Sequence, residues 1–176
     1  MKKEIREINR LTEFGEFMPY VGEKVVDKLI LKGFFLSPAS AKYHGSYEGG
    51  LFDHSYEVAK TLVELTEKNN LVWGRPESPY LVGMFHDLCK VDNYVLSVDG
   101  YDYDNNTLFN GHGDKSILLL SSMMTLTEEE VACIRYHMGA FTDKTEWGNY
   151  TRAVKRFPNV LWTHHADMIA SQIRGV

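Results

Sequence analysis

Six histidine and aspartate residues recur along the chain in the order His, His-Asp, His, His, Asp. They are His54, His86, Asp87, His112, His137 and Asp167. Imidazole nitrogens combined with carboxylate oxygens are typical ligands of iron, manganese, cobalt and zinc, whereas magnesium and calcium prefer oxygen ligands alone. Two such ions about 3.5–4 Å apart can activate a water molecule and hold a phosphoester during in-line displacement. The pattern therefore predicts a centre for one or two divalent ions, with iron, manganese or cobalt expected and zinc or nickel as alternatives.

Helices have to position these six side chains. From the spacing of apolar residues we predict helices at about residues 3–10, 20–32, 50–68, 79–90, 113–124, 128–138, 149–156 and 159–174. His54 shares its predicted face with Leu51, Val58 and Leu62. A single histidine on such a face is more often a core residue than a ligand, but the six residues come from five different helices or helix ends. Helical bundles build metal sites in this way, from inward side chains of facing helices.

Three short motifs predict where helices begin. Ser37-Pro38 and Ser78-Pro79 each place a capping serine before a proline at the first helical position. Thr127 is followed three residues later by Glu130, which is the spacing of a capping box.

The segment 93–104 (NYVLSVDGYDYD) breaks the helical pattern. Its residues alternate between apolar and polar around Asp99-Gly100, a dipeptide that favours a tight hairpin turn. We therefore predict an all-α fold, a helical bundle, with a small β-hairpin insertion. The tip of this hairpin is expected to be exposed, and the hairpin is expected to flank the middle of the bundle.

The composition favours one globular unit of 176 residues. The formal net charge is −5, so the chain lacks the basic surface with which proteins coat duplex nucleic acid. No window approaches the ~18–20 apolar residues that span a bilayer, and residues 1–10 lack the apolar region of a signal peptide. Cys89 and Cys133 stand far apart without a Cys-x-x-Cys motif, which indicates two reduced thiols in a cytoplasmic protein.

Four segments resemble the motifs of the HD superfamily of metal-dependent phosphohydrolases. Segment 43–54 (YHGSYEGGLFDH) is similar to the His-x-x-Tyr-x-Gly-Gly-Leu-x-x-His opening of relatives of bacterial 3′→5′ exoribonucleases. Segment 86–90 (HDLCK) resembles the HD signature with its downstream lysine. The other two segments are Gly111-His112 with Ser116, and Ala166-Asp167 with Ala170.

This resemblance implies a domain organisation. It extends over residues 37–174, so we expect an HD domain at 37–176, which is a bundle of helices, and an N-terminal helical extension at 1–36. The exoribonuclease relatives carry an oligonucleotide-binding β-barrel before the HD domain. Residues 1–36 are too few for such a barrel, so a long RNA substrate is not expected.

The resemblance also implies roles for individual residues. The ligands of a first metal ion are matched by His54, His86, Asp87 and Asp167. The additional ligands of two-metal members are matched by His112 and His137. Asp87 would bridge the two ions, and Lys90 matches a lysine that approaches the substrate phosphate.

Further polar and aromatic residues are candidates for contact with substrate. Besides Asp87, the candidate catalytic residues are Lys90 and Lys115, which we expect to neutralise charge developing on phosphate oxygens. The other candidate substrate contacts are Arg135, Tyr43, His44 and Tyr47. A solvated surface charge is the alternative for Lys90, Lys115 and Arg135, and plain packing is the alternative for the aromatic residues.

Two residues depart from the family pattern. Cys89 stands where many members have glycine, and Met138 follows His137 where many members have a second histidine. The second metal ion is therefore supported by fewer matching residues than the first.

The resemblance implies a phosphodiesterase or phosphomonoesterase that uses a metal-activated water on a nucleotide or a similar small phosphate ester. A di-iron oxygenase acting on a small polyol or phosphonate needs the same six ligands and is a first alternative. A non-catalytic nucleotide-binding module is a second. Metal-dependent hydrolysis, oxygen consumption by the iron form, or binding without turnover would distinguish them. The oligomeric state stays open.

Overall fold

The computed structural model describes residues 2–109 and 111–176. These residues form eight α-helices and one β-hairpin. The helices are α1 (Lys2–Phe17), α2 (Glu23–Leu31), α3 (Gly50–Asn69), α4 (Ser78–Phe85), α5 (His112–Ser121), α6 (Glu128–Arg135), α7 (Trp147–Arg156) and α8 (Asn159–Met168). The strands are β1 (Tyr94–Ser97) and β2 (Gly100–Tyr103). Short 3₁₀ turns lie at Leu88–Asp92, Gly139–Phe141 and Lys144–Glu146, and a π-helical segment at Ile169–Arg174 continues α8. The predicted all-α fold with a hairpin insertion is confirmed.

The hydrophobic core surrounds the packed pair α3 and α4. The apolar stripe predicted for α3 is fully buried at Leu51, Val58 and Leu62. The first two helices contribute to the same cluster, with Phe14 from α1 and Leu29 from α2. The boundary between residues 36 and 37 stays a prediction, but the helices before it share one core with those after it.

Two predictions from composition can be compared with the fold. Cys89 and Cys133 are buried free thiols, as expected for reduced cysteines. None of the helices in the described ranges is both long enough and apolar enough to cross a membrane.

The hairpin has the predicted position, but its turn is shifted by one residue. Tyr94 pairs with Tyr103, and Ser97 pairs with Gly100 in an antiparallel register. The two turn residues are therefore Val98 and Asp99, not Asp99 and Gly100. Gly100 has a φ of +125°, a conformation that glycine adopts without steric cost.

The predicted helix starts differ in outcome. Thr127 and Glu130 form the predicted capping box, with Thr127 Oγ1 accepting from the Glu130 amide at 3.2 Å. Ser78 is not the cap of α4: it is the first helical residue, and its hydroxyl donates to Glu130 Oε1 at 2.7 Å. No helix begins at Ser37-Pro38, where the Ser37 hydroxyl bonds to the carbonyls of Gly33 and Val91. Both serine hydroxyls therefore bond to residues that are distant in sequence and do not cap a helix.

Candidate metal centre

Among the helices that end earlier than their apolar patterns predict, α4 and α6 end at candidate ligands. α4 ends at Phe85 instead of residue 90, and α6 ends at Arg135 instead of residue 138. Asp87 has φ −107° and ψ 20°, and Tyr136 has nearly the same backbone angles. In a continuous helix adjacent side chains diverge by roughly 100°. The break lets His86 and Asp87, although adjacent, contribute to one centre.

Three buried histidines have the same hydrogen-bonding arrangement. Their Nδ1 atoms lie 2.7–2.8 Å from backbone carbonyl oxygens: His54 on Val176, His86 on Gly83 and His137 on Ile134. A carbonyl can only accept, so Nδ1 carries a proton and Nε2 is the ring atom that each histidine turns toward the cluster. Metal-binding histidines are commonly oriented by such a bond from the other ring nitrogen.

Asp87 lies in the middle of the imidazole nitrogens. Its Oδ2 atom is 3.8 Å from His54 Nε2 and 3.4 Å from His86 Nε2. Its Oδ1 atom is 3.4 Å from His137 Nε2 and 3.7 Å from His112 Nδ1. A carboxylate whose two oxygens face two sets of nitrogens has the geometry of a bridging ligand.

Asp167 completes the cluster from α8. Its Oδ1 atom is 3.3 Å from His54 Nε2, and its ligand atom lies within 4.8 Å of those of His86 and His137. All six residues that the sequence nominated as ligands therefore lie around one point. Five are buried or largely buried, and the His112 side chain, at 45% exposure, faces the opening.

The donor atoms fit a transition ion. The Nε2 atoms of His54, His86 and His137 and the Oδ1 atom of Asp87 are buried without hydrogen-bond partners. Buried polar atoms are ordinarily paired because leaving them unpaired costs about 1–3 kcal/mol each. Two ligand atoms at about 2.0–2.2 Å from a shared ion lie roughly 3–4 Å apart, which matches the separations found here. Histidine nitrogens with carboxylate oxygens are the donor set of iron, manganese, cobalt or zinc.

Opposite charges keep the central carboxylate ionised. Burial opposes ionisation of Asp87, but the Lys90 ammonium and His86 hold its pKa well below the ordinary value. The Lys90 Nζ atom lies 2.7 Å from Asp87 Oδ2, and this carboxylate raises the pKa of Lys90 against the effect of burial. The centre therefore offers a charged carboxylate, which a cation requires.

Two glycines allow the close helix approaches on which the centre depends. A Cβ atom on Gly83 would lie 2.4 Å from the Ala59 Cα atom, so α4 can pack tightly on α3 only without that side chain. A Cβ atom on Gly113 would lie 2.3 Å from the Arg135 carbonyl oxygen. The first approach brings His86 to His54, and the second brings the start of α5 to the end of α6.

A cavity of about 440 Å³ opens next to Asp87, Lys90, His112 and Asp167. Aromatic rings form much of its wall: Tyr43, His44, Tyr94, Tyr103, Phe141 and His164. Tyr94 and Tyr103 form a cross-strand pair in the hairpin, with ring centroids 5.2 Å apart. The hairpin insertion is therefore one side of the cavity.

The residues predicted to contact substrate are not all at this cavity. Lys90, Tyr43 and His44 line it. The His44 ring is 4.9 Å from the His54 ring, and burial lowers the pKa of His44 to about 4. Tyr47 does not line the cavity. Its phenol has a pKa raised to about 12 by burial and by the neighbouring Asp53.

The two other predicted phosphate contacts are engaged elsewhere. The Lys115 side chain is buried, and its ammonium binds Asn93 at 2.7 Å and pairs with Asp92. Arg135 pairs with Asp114 at 2.9 Å on the surface. The structure thus brings neither Lys115 nor Arg135 to the cavity beside Asp87. Lys115 instead ties the base of the hairpin to α5.

Several cavity residues were not predicted as substrate contacts. The pattern of the hairpin could have nominated Tyr94 and Tyr103, because they pair at its open end, which follows His86-Asp87 closely in the sequence. His164 faces the cavity and its Nδ1 bonds to the His137 carbonyl at 2.8 Å, whereas His165 is exposed. Nothing in the local sequence distinguishes these two neighbouring histidines.

Comparison with known proteins gives a limited result. No protein-family model matches the chain, and no solved structure matches it significantly. A curated protein to which it is similar is the dihydroneopterin 2′,3′-cyclic phosphate phosphodiesterase of Methanocaldococcus jannaschii, with 32% identity over 77 residues. The match covers 42% of this chain and 30% of that protein. The chain thus matches less than a third of the length of this relative.

Metal loading is expected to stabilise the fold. An ion present at about 100 times its dissociation constant adds about 2.7 kcal/mol, which corresponds to roughly 5–10 °C in Tm for a domain of this size. Differential scanning fluorimetry of chelator-treated protein with added Mn²⁺ or Co²⁺ measures the shift. His86→Ala should lose most of it, and His165→Ala, which changes an exposed histidine, should keep it. An equal shift in both variants would contradict a centre at His86.

Proposed function

We propose that this protein is a metal-dependent phosphohydrolase of the HD type that hydrolyses a small phosphodiester. The observation that carries the proposal is the convergence of three unpaired buried imidazole nitrogens on the two oxygens of one ionised carboxylate. The same ligands could also serve an oxidation reaction. The similarity to a phosphodiesterase supports phosphoester hydrolysis instead.

We assign the ligands to two positions. The first ion would be held by His54, His86, Asp87 and Asp167, and the second by Asp87, His112 and His137. When bound, such ions supply a hydroxide from a coordinated water and polarise the phosphoryl oxygens. Asp87 would fix the separation between the two positions because its oxygens face opposite sets of nitrogens.

The cavity supports a substrate with a phosphate and a flat ring. Lys90 is 8% exposed and presents its ammonium at the cavity floor beside Asp87, where it can pair with a phosphate oxygen. Tyr94 and Tyr103 offer ring faces on which a planar heterocycle can stack. A nucleotide or a related cyclic phosphate ester combines both features. The name of the M. jannaschii relative favours a diester over a monoester.

Lys90 is expected to stabilise the charge that develops on the phosphate. Replacement by glutamine should lower kcat/KM by roughly 100-fold, the usual effect of removing one preorganised charge-stabilising donor. Metal content should stay at the parent value, because an ammonium is not a ligand. Steady-state kinetics and elemental analysis measure the two quantities. Lys68→Gln, at an exposed position of α3, is the control and should behave as the parent.

The proposed reaction is tested with the metal-loaded full chain. Bis(p-nitrophenyl) phosphate and 2′,3′-cyclic nucleotides are compared with p-nitrophenyl phosphate, each with and without chelator. Metal-dependent turnover of the diesters, and slower turnover of the monoester, is expected. Oxygen consumption by the iron-loaded protein without phosphoester hydrolysis would point to the oxygenase instead. Nucleotide binding without turnover in any metal form would point to a binding module.

A further inference from the structure

Cys89 lies on the side of the candidate centre where His112 approaches Asp87. It belongs to the 3₁₀ turn Leu88–Asp92 that follows the broken end of α4, and it is fully buried. Its Sγ atom is 3.8 Å from His112 Nδ1. The sulfur, that nitrogen and one carboxylate oxygen of Asp87 all lie within 4.8 Å of one another. Three donor atoms of different chemistry thus surround one small volume.

A second observation points to a ligand in that volume. Asp87 is 3% exposed, and its Oδ1 atom has no hydrogen-bond partner. That oxygen faces His112 Nδ1 at 3.7 Å and His137 Nε2 at 3.4 Å. His112 presents its Nδ1 atom to this volume, unlike the three histidines that present Nε2. Its side chain is therefore turned so that the same nitrogen faces both the carboxylate and the thiol.

The position of the sulfur is fixed by the backbone. The amide of Cys89 donates to the Ser116 hydroxyl at 3.0 Å, so the 3₁₀ turn is tied to α5, which also carries His112. The other cysteine provides a contrast within the same chain. Cys133 is also fully buried, but it lies on α6 outside the group of candidate ligands.

We propose that Cys89 is a metal ligand, and that its thiolate completes the second metal position together with Asp87, His112 and His137. This inference rests on the proposed metal centre. On binding, the S–H proton would be released to solvent, and the sulfur lone pair would form the bond to the ion. No oxidant or reductant is needed for this exchange.

A thiolate changes which ions the second position selects. Soft sulfur ligands favour zinc, cobalt and ferrous iron over magnesium and manganese, which prefer oxygen. The first position, with histidine and carboxylate ligands, lacks this selectivity. The two positions of one centre would therefore differ in metal preference.

Cobalt substitution tests the proposal. Apoprotein is titrated with Co²⁺ under reducing, anaerobic conditions, and absorption is recorded in the visible and near-ultraviolet. A thiolate ligand produces an intense near-ultraviolet charge-transfer band besides the weak visible bands of cobalt held by nitrogen and oxygen. We expect that band in the parent and in Cys133→Ser, and its loss in Cys89→Ser with the visible bands retained.

The outcomes separate this proposal from the proposed function. Visible cobalt bands without the charge-transfer band in the parent would overturn the role of Cys89 and leave the metal centre intact. The same conclusion follows if the band persists in Cys89→Ser. Absence of every cobalt band would overturn both proposals. If Cys89→Ser does not fold, Cys89→Ala replaces it, and the parent spectrum alone still decides whether sulfur binds.

Discussion

Asp87→Asn abolishes metal-dependent phosphoester hydrolysis, in our expectation by about 1,000-fold or more in kcat/KM. The amide occupies the same space but removes the charge that faces His54, His86, His112 and His137. Metal ions contribute several kcal/mol of transition-state stabilisation, and each 1.36 kcal/mol is tenfold in rate. Elemental analysis should show loss of at least one of two bound ions.

A matched substitution keeps this prediction specific. Asp99→Asn removes a carboxylate in the exposed turn of the hairpin, and it should leave both turnover and metal content at the parent values. Full activity of Asp87→Asn with an unchanged metal content would refute the bridging role. Circular dichroism of each variant shows whether the helices are intact.

Gly83→Ala is expected to destabilise the protein by roughly 1–3 kcal/mol, the usual cost of overpacking a core. The added methyl group would lie 2.4 Å from the Ala59 Cα atom, and a backbone atom cannot rotate away as a side chain can. The helices α3 and α4 must then separate, which moves His86 away from His54. Thermal unfolding should show a Tm lower by roughly 3–10 °C, and the affinity for Co²⁺ should fall.

Another helical glycine provides the control. Gly15 lies in α1, and nothing is within 4 Å of a Cβ atom built on it. Gly15→Ala should therefore raise stability by roughly 0.5–1 kcal/mol, since alanine has less conformational freedom to lose in a helix. A Gly83→Ala variant as stable as the parent would mean that α3 and α4 can separate without cost.

The sequence predicts most of this architecture because the helices are amphipathic and their apolar stripes are long. It also nominates Asp87 and the five side chains that surround it, since residue type and order are local information. The helix ends at Phe85 and Arg135 were not predictable in this way. Apolar residues continue past both ends. At the first of them, the break in the helix lets the adjacent side chains of His86 and Asp87 share one centre.

Long-range partners explain the remaining differences. The chemistry of Lys115 fits a phosphate contact, but Asp92 and Asn93 at the base of the hairpin engage its ammonium. Ser78 has the local signature of a cap, but Glu130 takes its hydroxyl. Each of these contacts joins residues that are remote in sequence, so no local pattern encodes them.

The wide sequence separation of the six candidate ligands has a consequence for how the chain folds. His54 and Asp167 belong to α3 and α8, so bringing them together closes a loop that contains most of the chain. Local helices form within about a microsecond, whereas contacts between distant segments carry the entropy cost of closing large loops. We therefore expect the arrangement of candidate ligands to form late in folding. If the centre binds an ion, we expect the ion to slow unfolding more than it speeds folding.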